Sequence, residues 1–362
     1  MIRGGRRFIV ALIGWLVLLY GWPITQQSTT NQPSNRQILS TKKLHQQMAP
    51  TTVQGPAKLI NQSSSALIAA YGPPVEQQLN NGNQCRYLFH LDSRQYVEAL
   101  IDNQTDQTQQ ITVIGADSDV TPFHFFQKRA ALEKKVNLPT TFLVTLHEQQ
   151  FKLQLTAAQQ QENPLVMFKN QTFAILMLQQ AHLTAVVYLN ANRLLQIDQY
   201  QVVSKTPVPV DELAKSQQSA TDAQRQLILS QTVQTLRQNK GQIALDINQG
   251  LRQPAAALVQ DLADIPTRPL TKIGQQHLHQ IQNQSEHGAG RFLTATDFKQ
   301  RPLKKAGLPR REQIFYWPQG LNAQTLLYAQ QQNLAFQLAI NNMHYQRLTL
   351  ICTAEQTLII FE

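Results

Sequence analysis

The sequence predicts an α+β protein built in two parts behind an apolar leader, and three observations carry that reading. Phe8 to Ile24 is a nearly unbroken apolar run behind Arg3, Arg6 and Arg7. From Pro56 to Ser204, a short helical pattern is followed by several strand patterns, and this grouping then repeats, which is the mark of antiparallel sheet and not of βαβ units. After Pro207-Val-Pro209 the apolar spacing turns helical at Leu227 to Leu236, where a second part begins.

The leader comes first. Basic residues stay on the cytoplasmic side while an apolar helix crosses the bilayer, so everything after Thr25 is expected outside. Seventeen residues span only ~25 Å at ~1.5 Å each, a little short of the roughly 30 Å hydrocarbon core. That length fits a cleaved signal peptide or a short anchor. Gly-Trp-Pro-Ile-Thr-Gln-Gln lacks the small residues of a cleavage site, which favours a signal anchor over residues 1–25 and a single-pass membrane protein, secreted only if the segment is cleaved. A lipid anchor needs a Cys just after the run, and the first Cys is Cys85. Residues 26–52, rich in Gln, Ser, Thr, Asn and Pro, cannot bury a core and read as a polar stalk.

Composition bounds the rest. About 335 residues follow the leader, room for two domains. Charged residues make up 15%, below the usual ~25%, and Gln, about one residue in seven, supplies uncharged surface. The net charge of +10 is unevenly spread: residues 1–50 hold six basic and no acidic residues, 51–205 hold eleven of each, and 206–362 hold fifteen against eleven. The late excess gathers at Lys299, Arg301, Lys304, Lys305, Arg310 and Arg311, a solvated loop and helix end or a face for an anionic envelope polymer, lipid headgroups or a protein partner. An exported chain with no aromatic residues interleaved there is not expected to bind nucleic acid. Cys85 and Cys352 sit in apolar strand-like runs and read as free buried thiols, with a disulfide between the two parts as the alternative.

In the first part, expected at 53–204, a Ser cluster starts a helix at 63–71 and Gly72-Pro73-Pro74 ends it. Strands are predicted at 84–90, 96–102 and 110–115. A second helix at 126–135 leads to strands at 141–147 and 151–155, and a helix at 157–162 to strands at 165–168, 172–178 and 183–188. An amphipathic turn at 191–197 precedes a last strand at 200–203. Residues 205–225 mix Pro, Lys, Ser, Gln and Asp without an apolar stripe and read as a linker.

Within this part, Tyr71-Gly72-Pro73-Pro74, Tyr87-Leu88-Phe89, Val120-Thr121-Pro122-Phe123, Phe151-Lys152-Leu153-Gln154-Leu155, Pro164-Leu165-Val166 and the Leu194-Leu195 to Tyr200 segment recur in order. Together they resemble the CAP-associated N-terminal domain, the module that precedes a CAP (cysteine-rich secretory, antigen 5, pathogenesis-related 1) domain in exported proteins of Gram-positive bacteria. The departure is at Cys85-Arg86, where the family usually carries Trp-type residues. No catalytic residue comes with this module. The resemblance implies a CAP domain, an α-β-α sandwich, at 226–362. There Asn248 and Arg252 resemble the N-x-x-R segment of its first helix, and Leu270 to Ile281, with His277, its next helix. Arg301 with Lys304-Lys305-Ala306-Gly307-Leu308 resembles its R-x-K-x-A-G helix end, Glu312-Gln313-Ile314-Phe315-Tyr316 its E-N-I-x-Y strand, and 347–351 with 357–361 its closing hairpin.

The family's cleft gathers two His and two Glu, and only His287 and Glu312 have counterparts here. The segment expected to carry the second His reads Gln332-Asn333-Leu334-Ala335-Phe336-Gln337, so Ala335 or Phe336 takes its place. Two ligands are too few to hold a metal without other donors, so neither metal nor cofactor is expected. His277, His279 and His287 do not make a metal trio, because positions i and i+2 of a helix face apart. Ser285-Glu286-His287 is adjacent in sequence, whereas a triad converges from separate elements. His344 reads as a turn residue, with a displaced cleft His as the alternative. Phosphate loops, Rossmann glycines, CxxC pairs and G-x-S-x-G are absent. Two functions remain: a membrane-tethered, non-catalytic binding module for a protein, peptide or envelope component, or an extracellular hydrolase of peptide or wall material working through His287 and Glu312.

Overall fold

The computed structural model describes residues 50–79, 84–89, 94–197, 199–204, 221–283, 292–308 and 313–362. The leader and nearly all of the expected stalk lie outside these residues, as does most of the expected linker. Among the described residues no helix is long and apolar enough to cross a membrane.

The chain is mixed α+β with antiparallel sheets. In order, the first part holds α1 (Ser64–Tyr71), β1 (Glu76–Leu79), β2 (Gln84–Phe89), β3 (Tyr96–Asp102), β4 (Gln107–Ile114), α2 (Arg129–Leu132), β5 (Thr141–Leu146), β6 (Gln149–Gln154), α3 (Ala157–Glu162), β7 (Leu165–Met167), β8 (Phe173–Gln179), β9 (His182–Leu189), α4 (Ala191–Gln196) and β10 (Gln201–Val202). Gly72, at φ 81°, stops α1 in a conformation open to glycine. Thr156 and Gln159 close a reciprocal capping box on α3. The helix predicted at 126–135 shrinks to the single turn of α2, and Phe126, at φ 59°, stands outside helical geometry.

The two groups of strands do not stay separate. Seven strands form one sheet in the order β1-β2-β3-β4-β9-β8-β7, joined where β4 pairs antiparallel with β9 (Ile111 opposite Tyr188). A small sheet, β10-β6-β5, stands apart from it. The large sheet is buried on both faces. Phe89, Val97, Ile111, Val113, Leu176 and Tyr188 share a core with Leu67, Phe123 and Leu132. Leu88, Tyr96, Ile114, Ile175 and Val187 face the opposite way, as the two-residue period of a strand requires.

The second part holds α5 (Asp222–Gln238), β11 (Asp246–Ile247), α6 (Arg252–Asp264), α7 (Lys272–Asn283), β12 (Leu293–Thr294), α8 (Gln300–Lys305), β13 (Gln313–Trp317), α9 (Ala323–Gln332), α10 (Leu334–Ile340), β14 (Arg347–Cys352) and β15 (Thr357–Phe361). Its five-stranded sheet runs β11-β14-β15-β13-β12. Alternation divides the sheet's two faces between helices. Ile314, Tyr316, Leu358 and Ile360 meet Leu258 and Leu262 of α6 and Leu278 and Ile281 of α7. Phe315, Trp317, Ile359 and Phe361 meet Leu229 and Val233 of α5, Leu326 of α9 and Phe336 of α10. The expected α-β-α sandwich is thus present.

One apolar core runs from Leu88, Tyr96 and Ile114 of the large sheet through α5 and α9 to Phe315 and Phe361 of the five-stranded sheet. Glutamine amides rim it: Gln331 Nε2 donates to Leu178 O at 3.2 Å, Gln110 Nε2 to Gln324 Oε1 at 3.2 Å, and Gln224 Nε2 to Glu76 Oε1 at 3.0 Å. Glutamine is therefore more than a surface solvator in this chain, since Gln78, Gln110, Gln179 and Gln330 are buried.

Candidate functional site

The two cleft candidates, His287 and Glu312, lie outside the described residues, the first in the connection between α7 and β12 and the second just before β13. What the structure describes is the segment expected to carry the second His. Asn333 caps α10 by accepting from Phe336 N at 2.9 Å, and this first turn sets Ala335 outward and Phe336 inward. Phe336 is fully buried, with ring centroids 4.7 Å from Phe292, 5.0 Å from Phe315 and 5.9 Å from Phe361. Of the two residues expected in place of a second His, Phe336 occupies the interior. Its ring has no lone pair to give a cation, and its neighbours are aromatic. Among the described residues, no group of three or more His, Cys, Asp or Glu is placed to hold a metal ion.

Residues around α7 form a second, polar centre. Asp297, in the turn before α8, is buried, and its carboxylate accepts from His277 Nδ1 at 2.8 Å and from Thr294 N at 2.8 Å. The same residue's carbonyl accepts from Thr271 N at 2.8 Å and Thr271 Oγ1 at 3.0 Å, which fixes the start of α7. Gly274 lets the helix lie this close, because a Cβ there would stand 2.2 Å from Asp297 O. His277 is thus held by a buried carboxylate while about half its side chain remains exposed. His279, two positions on, is exposed and makes its own contacts.

The basic cluster is partly described. Lys299, Arg301, Lys304 and Lys305 are exposed along and just before α8, while Arg310 and Arg311 lie outside the described residues. Lys299 Nζ donates to Thr267 O at 3.1 Å and Arg268 O at 3.2 Å. No ion pair among the described residues involves Arg301, Lys304 or Lys305. Lys304 and Lys305 sit in the last turn of α8, where a cation opposes the negative end of the helix dipole.

Cys85 and Cys352 are both free and buried. Burial pushes each thiol's pKa upward, and Cys352 also contacts Thr357 Oγ1 at 3.3 Å. His344 is an exposed turn residue whose backbone N–H donates to Asn342 Oδ1 at 2.9 Å. The resemblance-derived Asn248 proves structural, with its amide nitrogen 2.9 Å from both carboxylate oxygens of Glu362. Sequence reasoning missed the charged pair of the large sheet, half-buried Arg86 and buried Glu98, 3.2 Å apart, and the half-buried Arg193 of α4 beside Gln110. A charged residue in each of two otherwise apolar strands was the available signal.

Residues 60–200 match the model of the CAP-associated N-terminal family. No curated protein matches the chain significantly. Among solved structures, the fold is similar to a cysteine-rich secretory protein from Staphylococcus aureus, at 14% identity and TM-score 0.65 over 86% of this chain and 96% of that one. It is also similar to an extracellular protein containing an SCP domain from Bacillus anthracis, at 17% identity and TM-score 0.62 over 88% of this chain and 98% of that one. Residues 60–200 are a CAP-associated N-terminal domain, in a chain whose fold is that of the SCP-domain proteins.

Proposed function

We propose that this chain is a non-catalytic binding protein of the CAP class, exported and held at the outer face of a cell membrane by residues 1–25, with an anionic envelope polymer as the partner of its basic face. The observation that carries the reading is Phe336. A cleft that works on substrate through imidazoles and carboxylates needs polar groups on both walls, and the segment expected to supply the second His instead buries an aromatic ring among three others. Restoring a cation site there would mean burying charge against apolar surface, which is strongly unfavourable. The exposed Arg301, Lys304 and Lys305, free of intramolecular ion pairs among the described residues, supply the positive field that an anionic polymer would seek. The apolar leader behind three arginines supports membrane tethering, and the two similar structures, one a secretory and one an extracellular protein, agree with export.

The test is co-sedimentation of the purified protein with isolated cell wall at low and high salt. Binding should weaken steeply with ionic strength, because exposed charges are screened over about 8–10 Å at physiological salt. The triple substitution Arg301→Glu, Lys304→Glu, Lys305→Glu should abolish it while leaving the melting temperature unchanged. Wild-type binding that ignores both salt and the triple substitution would sink the polymer reading. Specific turnover of peptide or wall substrates, lost on His287→Ala and Glu312→Gln, would replace the binding reading with the hydrolase.

A further inference from the structure

The three-stranded sheet β10-β6-β5 ends in a strand whose outer side pairs with no other strand among the described residues. β5 runs against β6 from Thr141 opposite Gln154 to Leu146 opposite Gln149 without a shift of register. Two hydrogen bonds fix which backbone groups turn outward. Leu155 N donates to Thr140 O at 2.8 Å, so by the alternation of an antiparallel ladder Phe142, Val144 and Leu146 bond to β6, and Thr141, Leu143 and Thr145 do not. Val203 N donates to Lys152 O at 2.8 Å, in agreement: Lys152, opposite Leu143, turns its backbone to β10. The N–H and C=O groups of Thr141, Leu143 and Thr145 therefore line the outer edge. Among the described residues they have no hydrogen-bond partner. Buried backbone groups are nearly always paired, so this edge stands open to water.

The other sheet edges are short, charged or covered. β10, β11 and β12 are two residues long, β1 carries Glu76, and β7 is flanked by Thr51, whose N–H donates to Met167 O at 2.9 Å. β5 has none of these protections. Its six residues, Thr-Phe-Leu-Val-Thr-Leu, include no charge and no Pro, and favour extended backbone. Such a strand is a template for another strand, and its exposed row says which. Phe142 and Val144 are buried in the core, whereas Thr141, Leu143 and Thr145 are exposed, Leu143 by 37%. That row reads Thr-Leu-Thr in both directions. The outward backbone groups sit at the same three positions and are symmetric about Leu143 as well.

We infer that β5 is a homodimer interface, pairing antiparallel with β5 of a second copy about a two-fold axis at Leu143. In that register Leu143 stands opposite the second copy's Leu143, and Thr141 opposite its Thr145. Every outward N–H then meets an outward C=O, which gives six backbone hydrogen bonds from three residues of each copy. Leu–Leu and Thr–Thr are favourable cross-strand pairs, and no like charges face each other. The three strands carry one charged residue, Lys152. Its two copies would lie three strand spacings apart, roughly 14 Å at ~4.8 Å each, beyond the screening length of about 8–10 Å. A slip of one residue would set outward groups against inward ones, so the register is fixed. The contact uses the same patch on both copies and therefore closes at two. It is independent of the basic face at α8 and of any role for Phe336.

The experiment follows self-association of the purified full chain, in a nonionic detergent, by sedimentation velocity over a range of concentrations. A reversible dimer is expected. Leu143→Glu should weaken it roughly tenfold or more, because the two carboxylates meet across the axis, while within each copy Glu lies beside Lys152 and the melting temperature holds. The threonines test the register without touching Leu143. Thr141→Glu with Thr145→Glu should also dissociate the dimer, whereas Thr141→Glu with Thr145→Lys sets opposite charges face to face and should retain it. Under mild oxidation Leu143→Cys should cross-link two copies, since a hydrogen-bonded pair holds its Cα atoms about 5.5 Å apart, within the roughly 4.4–6.8 Å of a disulfide. Thr145→Cys should not, because its two copies lie four positions out of register, more than about 13 Å apart at ~3.4 Å per residue. The inference is overturned by a monomer at every concentration, by a dimer indifferent to Leu143→Glu and to the paired glutamates, or by Thr145→Cys cross-linking as readily as Leu143→Cys.

Discussion

Truncating Phe336 to Ala tests whether the segment expected to carry the second His is a packed core or an open surface. The side chain is fully buried and touches three other aromatic rings. Phe→Ala in a core costs about 3–5 kcal/mol, and aromatic pairs of favourable geometry add about 0.5–1.5 kcal/mol each beyond burial, so the upper half of the range is expected. The Phe315 and Phe361 contacts, with interplanar angles of 73° and 61°, are edge-on and of that kind. For a folded region of this size, about 2 °C is lost per kcal/mol, which places the melting temperature of Phe336→Ala about 8–10 °C below wild type. Urea unfolding should give a matching loss with an unchanged slope. Phe336→His should also destabilise, because an imidazole among Phe292, Phe315 and Phe361 meets only aromatic rings there. A loss under about 1 kcal/mol for Phe336→Ala, or a Phe336→His protein stabilised by Zn2+, would mean that the site opens to polar ligands and that the binding reading is wrong.

Three further outcomes follow from the packing. A protease cut within residues 205–220 should leave the two fragments associated on size exclusion in native buffer, since they share one apolar core and a rim of glutamine contacts; separate elution would refute that. Cys85 and Cys352 should react with a thiol reagent at pH 8 far more slowly than a free thiol, because burial holds both in the protonated form, and both should react fully once the chain is unfolded in guanidinium. Gly274→Ala should cost about 1–3 kcal/mol in urea unfolding, as its Cβ would collide with Asp297 O unless α7 moves away. A neutral Gly274→Ala would show that α7 is not clamped to that turn.

Local signals were legible without coordinates. Mostly apolar runs marked β3, β8 and β9; Gly72-Pro73-Pro74 marked the end of α1; the spacing around Leu227 to Leu236 marked α5. These features depend on neighbours within a few residues, where side-chain period and backbone freedom are set by the chain itself. The strand β1 escaped notice because Glu76-Gln77-Gln78-Leu79 has no apolar alternation, and it exists through pairing with β2. The family resemblance narrowed the second His position to Ala335 or Phe336, but only the cap at Asn333 and the aromatic core decided which side chain turned inward. The same holds for the half-buried Arg193. Arg193 and Gln110 are 83 positions apart, and nothing local to either shows that the pairing of β4 with β9 and the fold-back of α4 bring the guanidinium to that amide. Burial of glutamine was equally hidden, because an amide is as content in water as against a partner amide, and only tertiary contact supplies that partner.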